Sequence, residues 1–327
     1  MTAGTYSERA REVLDEQWTG SDHDDNGLIL WAAGQGAYEV IEARLGRWLP
    51  DATVPVTRET REAALRIARA AATPAHLAVV TYLEESLGIL VPRDELLARA
   101  LTDRDAESVN WERQTYSVAN RLDTATSLRW AVARLADPDP DVRRFAATVA
   151  HWMSFNEPPG AEEAIAALRI RLPVEPDAGV LVELIGAFAE YHGGGELPEI
   201  VAHAGHADAR VRRMVAAEMQ YALPAAAATE VLAFLGRDQD ADVRATALRV
   251  IRDHLFDHPV TRELIAAGRE DPDHRVRLEA LAGLARSGDA EACAELRRLG
   301  DEAGEGSPVA SMADAAQAWL RKARECR

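Results

Sequence analysis

Four short segments of this chain repeat one another: Asp139-Pro-Asp-Val142-Arg143, Asp208-Ala-Arg-Val211-Arg212, Asp240-Ala-Asp-Val243-Arg244 and Asp273-His-Arg-Val276-Arg277. Each leads into a stretch rich in alanine and leucine. The valines are 69, 32 and 33 residues apart, and Asp177-Ala-Gly-Val180 divides the first interval into 38 and 31. Steps of 33 outward reach Val109 and Val309, so seven units can be traced from about residue 90 to the end. A unit this short cannot bury an apolar face alone and must lean on its neighbours, which excludes a fold built around one central core.

Each unit reads as two helices. The aspartate before the valine is a good N-cap, because its carboxylate accepts from free amides of the first turn, and Pro140 sits where a missing N–H costs nothing. Apolar residues then recur at helical spacing: Val142, Ala146, Val149 and Met153 in one unit, Val276, Ala280, Leu281 and Leu284 in another. Upstream of each cap lies a shorter amphipathic run, such as Leu128, Val132 and Leu135, that supplies the first helix. No alternating Val/Ile/Thr run with hairpin signals occurs, so a sheet has no source. The expected fold class is all-α.

The ~33-residue helix pair with a D-P-D-x-x-V-R turn, complete at residues 137–143 and 271–277, resembles the HEAT repeat. Its nearest type is the short bacterial form known as HEAT-like or phycobilisome-lyase type. The resemblance implies a HEAT-like helical-repeat solenoid, an α-α superhelix whose second helices line the concave side. Residues 1–90 are less regular and read as an irregular helical cap or degenerate repeats. Residues 91–327 read as about seven repeats continuous with that cap. Breaks are expected at residues 20–27, 49–55, 154–160 and 300–308, where Gly, Pro and Ser cluster.

Composition narrows the functional classes. Acidic residues number 54 against 37 basic ones, a net charge of −17 that repels phosphate backbones and anionic lipid, so nucleic acid is not an expected partner. Cys293 and Cys326 are too few for a disulfide framework or a zinc knuckle and fit a reducing, cytoplasmic setting. No apolar stretch approaches the ~18 residues of a membrane span, and the first eleven residues lack a signal-peptide centre.

The arginines directly after the repeated valines, Arg143, Arg212, Arg244 and Arg277, are expected to form a structural ladder with the turn aspartates of neighbouring units. Arginines off the apolar stripe are different. On the concave surface Arg144, Arg213, Arg249 and Arg252 would interleave with Trp111, His151, Trp152, Gln220 and Tyr221 to form a partner-binding ridge.

Other chemistry finds little support. Asp22-His-Asp24-Asp-Asn26-Gly27 matches the first half of an EF-hand loop, but the closing position is Ala33, so the reading is an acidic turn before a helix. His203 and His206 are three apart and His254 and His258 four apart, but Pro259 follows His258 directly and, even with Asp257, the second set lacks a fourth ligand, so metal binding is not expected. HEAT-type metal hydroxylases carry His-Glu dipeptides, and none of the nine histidines here precedes glutamate. HEAT-like DNA glycosylases, which resemble this chain in fold and size, use tryptophans beside an aspartate one helical turn on. Only Trp18 and Asp22 have that spacing, with Gly20 between them. No nucleophile elbow or phosphate loop occurs, and Gly193-Gly-Gly195 reads as a helix stop. No catalytic residue, cofactor or metal is therefore assigned. The expected function is a non-catalytic protein-binding scaffold or regulatory subunit that engages a protein partner, favouring a basic one, with the alkylated-base glycosylase as the alternative.

Overall fold

The computed structural model describes residues 25–45, 56–71, 73–156, 158–255, 258–304 and 307–325. Among these residues there are eighteen α-helices, one 3₁₀ turn and no strand. By packing the chain divides into two compact units, Met1–Ala164 and Ile165–Arg327.

The first unit opens with α1 (Asp25–Gln35) and α2 (Tyr38–Leu45), broken from each other at Gly36, whose φ of 69° lies in the left-handed region that glycine tolerates. Then come α3 (Arg58–Ala71), α4 (Pro74–Ser86), α5 (Arg93–Ala100), α6 (Val109–Ala119), α7 (Thr124–Val132) and α8 (Pro140–Ser154). A buried apolar cluster that includes Ile29, Ile41, Leu65, Val79 and Leu83 joins α1–α4. Helix α9 (Ala161–Arg171) runs across the division.

The second unit contains α10 (Ala178–His192), α11 (Pro198–Val201), α12 (Ala209–Ala222), α13 (Ala226–Leu235), α14 (Ala241–His254), α15 (Pro259–Gly268), α16 (His274–Arg286), α17 (Ala290–Ala303) and α18 (Pro308–Glu325). Helix α10 stops at Gly193, with φ of 70°, as its glycine run predicts. Leu281, Ala285, Leu296 and Ala313 bind the last three helices together.

One cap geometry starts the second helix of every repeat. The side chains of Asp139, Asp177, Asp208, Asp240 and Asp273 each accept from backbone amides of the helix that follows. Thr73 and Ser108 do the same for α4 and α6, and the Ser307 hydroxyl accepts from Ala310 N–H at 3.1 Å at the head of α18. The register thus reaches back to Thr73. Counted from the caps, Trp111 and Ala310 hold the positions that steps of 33 assign to Val109 and Val309, because the linkers differ in length.

Of the expected arginine ladder, the rungs to a neighbouring turn's aspartate are formed by Arg212 and Arg244. Nη1 of Arg143, Arg212, Arg244 and Arg277 donates to two carbonyls of its own turn, at 2.7–3.1 Å in all four repeats. Nε and Nη2 of Arg212 then clamp the Asp238 carboxylate of the next turn at 2.7 and 2.8 Å, and those of Arg244 clamp Asp271 at 2.8 Å each. Asp238 and Asp271 also accept from the N–H groups of Asp240 and Asp273, so a single carboxylate shapes its turn and ties it to the preceding repeat. Where the arginine position is Leu181, the following turn carries His206 in place of the acid, and its Nδ1 takes the Asp208 N–H at 3.0 Å. Both halves of the rung are missing together.

Burial works to raise the Asp238 carboxyl, but the bonds from Arg212 and Asp240 N–H and the charges of Arg212 and Arg244 outweigh it and hold the group below the usual aspartate range. The stability this supplies is complete above about pH 4, where unfolded aspartates are ionised, and is lost as pH falls through the lower folded-state value. Asp238→Asn is therefore expected to lower the unfolding free energy by about 2 kcal/mol at pH 7, with the loss shrinking steadily below pH 4. Urea unfolding of both proteins across that range checks it; a loss independent of pH would exclude the ionised pair as the cause.

Candidate functional site

Large apolar side chains that a folded chain leaves in water mark places where something else can cover them. In the first unit three consecutive repeats do this at the same point, just after the second helix. Leu90 follows α4 and is 77% exposed, Leu122 follows α6 and is fully exposed, and Phe155 follows α8 and is 62% exposed. These residues are 32 and 33 apart, the period of the repeat itself.

Leu90 and Leu122 flank a cleft of about 720 Å³ whose other walls include Ile89, Tyr116 and Arg121. Trp152 packs edge-on against Tyr116, with ring centres 5.8 Å apart, which carries the aromatic surface from α6 onto α8. His151 lies beside Phe155 at 5.6 Å. The edge is therefore made of leucine, isoleucine and aromatic side chains presented by the ends of α4, α6 and α8.

A buried cation stiffens the base of this cleft. Arg113, 5% exposed, bonds Glu85, donates to Ser117 Oγ at 3.1 Å and reaches the Tyr38 hydroxyl at 3.3 Å. Its guanidinium also lies 5.1 Å from the centre of the Tyr82 ring and 4.9 Å from that of Tyr116. Burial, assisted by the Glu42 charge, pushes the Tyr82 hydroxyl up to about 12, and burial likewise raises Tyr38, so both stay protonated. Tyr38 donates to Glu42 at 2.8 Å, and desolvation raises that carboxyl as well. Such a network holds shape; none of these groups is positioned as a nucleophile beside a base.

The residues of the expected ridge are distributed unevenly. Trp111 does not face a partner: at 2% exposure it packs at 5.5 Å against the buried Phe145 ring. The cap at Ser108 turns it onto the core stripe, and the correction also withdraws from solvent one of the tryptophans that a glycosylase reading requires. Arg144 is mostly covered and lies 3.5 Å from Glu107. His151 and Trp152 belong to the apolar edge.

In the second unit Arg213 and Arg249 are exposed and Gln220 is half-buried. Tyr221 donates to Glu190, and burial together with that bond raises its hydroxyl. Arg252 pairs with Glu279 and with Asp253 at 2.9 Å, and Asp253 accepts in turn from Arg286 at 3.0 Å, so this arginine ties α14 to α16. Arg113 and Arg121 were not singled out by the sequence pattern. Arg113 stands five residues after its cap, as do Arg144 and Arg213 after theirs, and the cap register would have found it.

Among the described residues no group of three His, Cys, Asp or Glu side chains is arranged to hold a metal, and no helix is long and apolar enough to cross a membrane. The half EF-hand segment falls largely outside the described residues. His206 and His258 serve as turn and cap acceptors, and Cys293 donates to the Ala285 carbonyl at 3.5 Å.

Comparison with known proteins bears on this architecture. Residues 228–306, covering most of α13 through α17, match the family profile of HEAT repeats. That stretch carries HEAT-like repeats, and the described residues as a whole form an all-helical repeat fold. The crystal structure of the Escherichia coli protein YibA is similar in fold, with a TM-score of 0.52 and 21% identity over 63% of this chain and 74% of that one. Human deoxyhypusine hydroxylase, solved with glycerol, aligns over 89% of this chain and 98% of its own at 15% identity, with a TM-score of 0.29, too low to support an inference. Curated proteins give no sequence match.

Within the helical repeats of the first unit, core and edge are expected to respond differently to truncation. Trp111→Ala should cost about 3–5 kcal/mol of stability as a cavity opens against Phe145, whereas Leu122→Ser should change it by less than about 0.5 kcal/mol. Thermal and urea unfolding of the two variants checks the assignment of Trp111 to the core and Leu122 to the surface. Equal losses would contradict it.

Proposed function

We propose that the protein is a non-catalytic protein-binding scaffold or regulatory subunit, and that the apolar edge formed by Leu90, Leu122 and Phe155 is its principal docking surface. The observation that carries this reading is the repetition of an exposed large apolar residue at one structural position in three successive repeats. Random surface hydrophobes are scattered singly and need no explanation, but a periodic row beside an aromatic-lined cleft is a patch.

Aromatic and arginine side chains supply much of the energy of protein interfaces, and here Tyr116, Trp152 and Arg121 accompany the row. Because stacked helices hold these groups in place, docking avoids much of the ordering cost that flexible loops incur. Arg213 and Arg249 provide exposed contacts on the second unit for a subsidiary surface. The net charge of −17 favours encounter with a partner of positive net charge, an effect on association rate more than on final affinity.

The test is affinity capture from native extract with wild type and with Leu90→Ser/Leu122→Ser/Phe155→Ser, after equal unfolding midpoints have shown that the variant remains folded. The proposal expects at least one stoichiometric partner of the wild type to fall about tenfold or more in recovery. Undiminished recovery of every partner would refute the edge as the docking surface.

A further inference from the structure

The cleft beside Leu122 contains a cation whose charge the protein does not neutralise. Arg113 and Arg121 line the cleft, and Arg93 lies next to its Asp123 wall. Arg113 is paired with Glu85 and Arg93 with Asp123. Arg121 is half-buried and has neither partner: Nε donates to the Ser117 carbonyl at 3.4 Å and Nη2 to the Val91 carbonyl. Among the described residues no carboxylate reaches it, and its remaining nitrogen, Nη1, has no hydrogen-bond partner.

Burial and the adjacent Arg93 charge lower its pKa and outweigh the opposing charges of Asp123 and Glu85, as expected for a guanidinium taken partly out of water with no carboxylate in contact. The contrast with the ladder is direct. Arg212 and Arg244 also spend one nitrogen on turn carbonyls, yet each uses its other two on a carboxylate.

Around Arg121 much of the cleft is apolar, and the two carboxylates that line it, Glu85 and Asp123, are each bonded to another arginine. Ile89, Leu90 and Leu122 stand exposed at its rim and Tyr116 forms a wall, within a volume of about 720 Å³ that falls in the ordinary range of ligand pockets. A ligand complementary to this surface needs an apolar group to cover the leucines and an anion to meet the guanidinium, which binds planar carboxylates well.

We infer that the cleft between α4 and α6 receives a peptide segment of a protein partner in which a large apolar side chain lies within about three residues of a carboxylate, the carboxylate pairing with Arg121 and the apolar side chain packing on Leu90 and Leu122. This deepens the docking-edge proposal and rests on it. A partner of positive net charge is compatible, because the cleft contacts one short segment while the overall field acts at longer range.

The experiment selects a phage-displayed random dodecapeptide library on the intact protein. The enriched peptides are then synthesised in their acidic form and with the acid replaced by its amide, Glu→Gln or Asp→Asn. Enriched sequences should place Asp or Glu within three residues of Leu, Phe or Trp. The amide peptide should bind wild type at least tenfold more weakly than the acidic one.

Arg121→Gln should remove most of that difference while leaving the amide peptide's affinity nearly unchanged, and Leu122→Ser should weaken both peptides. The peptide-side exchange does not depend on how a variant folds. If acid and amide bind equally while Leu122→Ser still weakens binding, the carboxylate assignment is overturned and the docking edge stands. If no peptide is enriched, or neither substitution alters binding, both proposals fall.

Discussion

The carboxylate two residues before the caps Asp240 and Asp273 is the joint between successive repeats of the second unit. In Asp238 and Asp271 it accepts a backbone amide of its own turn and the forked guanidinium of the preceding repeat. The same contact thereby sets the angle at which a second helix begins and the side on which the next helix pair leans. Caps alone would start helices without specifying their neighbours, and apolar stripes alone would tolerate sliding. The bidentate rung restricts both, because a planar fork meets a carboxylate in few geometries. At His206 and Leu181 the acid and the arginine are both replaced, and His206 keeps only the bond to the amide of its own turn.

This assignment changes the meaning of the chain's abundant arginines. Arg143, Arg212, Arg244 and Arg277 are held by the carbonyls of their own turns, and Arg252 and Arg286 join neighbouring helices through acids. They belong to the framework and are poorly placed to recognise anything else. What the framework leaves available in the first unit includes the exposed apolar residues at the ends of α4, α6 and α8. Arg121 stands among them as a cation bound only to carbonyls, in contrast to Arg212 and Arg244, which each hold a carboxylate.

Much of the architecture was legible because caps, proline and apolar spacing act locally and recur. Asp139, Asp208, Asp240 and Asp273 announce their helices without knowledge of the rest of the chain. The functional edge was harder to read for a physical reason. Its residues stand 17, 14 and 16 positions after their caps, since the helices end at different points, so they share a place in space more closely than a place in the repeat. Trp111 was misjudged because a fixed step of 33 put Val109 on the core stripe, whereas Ser108 caps the helix and brings Trp111 inward. Counting from the capping side chain follows the hydrogen bond that determines the register.

A photo-crosslinking amino acid placed singly at Leu122 and, as a control, at the exposed Val174 of the second unit would test the docking edge most directly in native cells. A docking edge predicts a discrete adduct of one partner from position 122 and none from position 174. Matching adduct patterns at the two positions, or no adduct at 122 in cells where the protein is abundant, would contradict it.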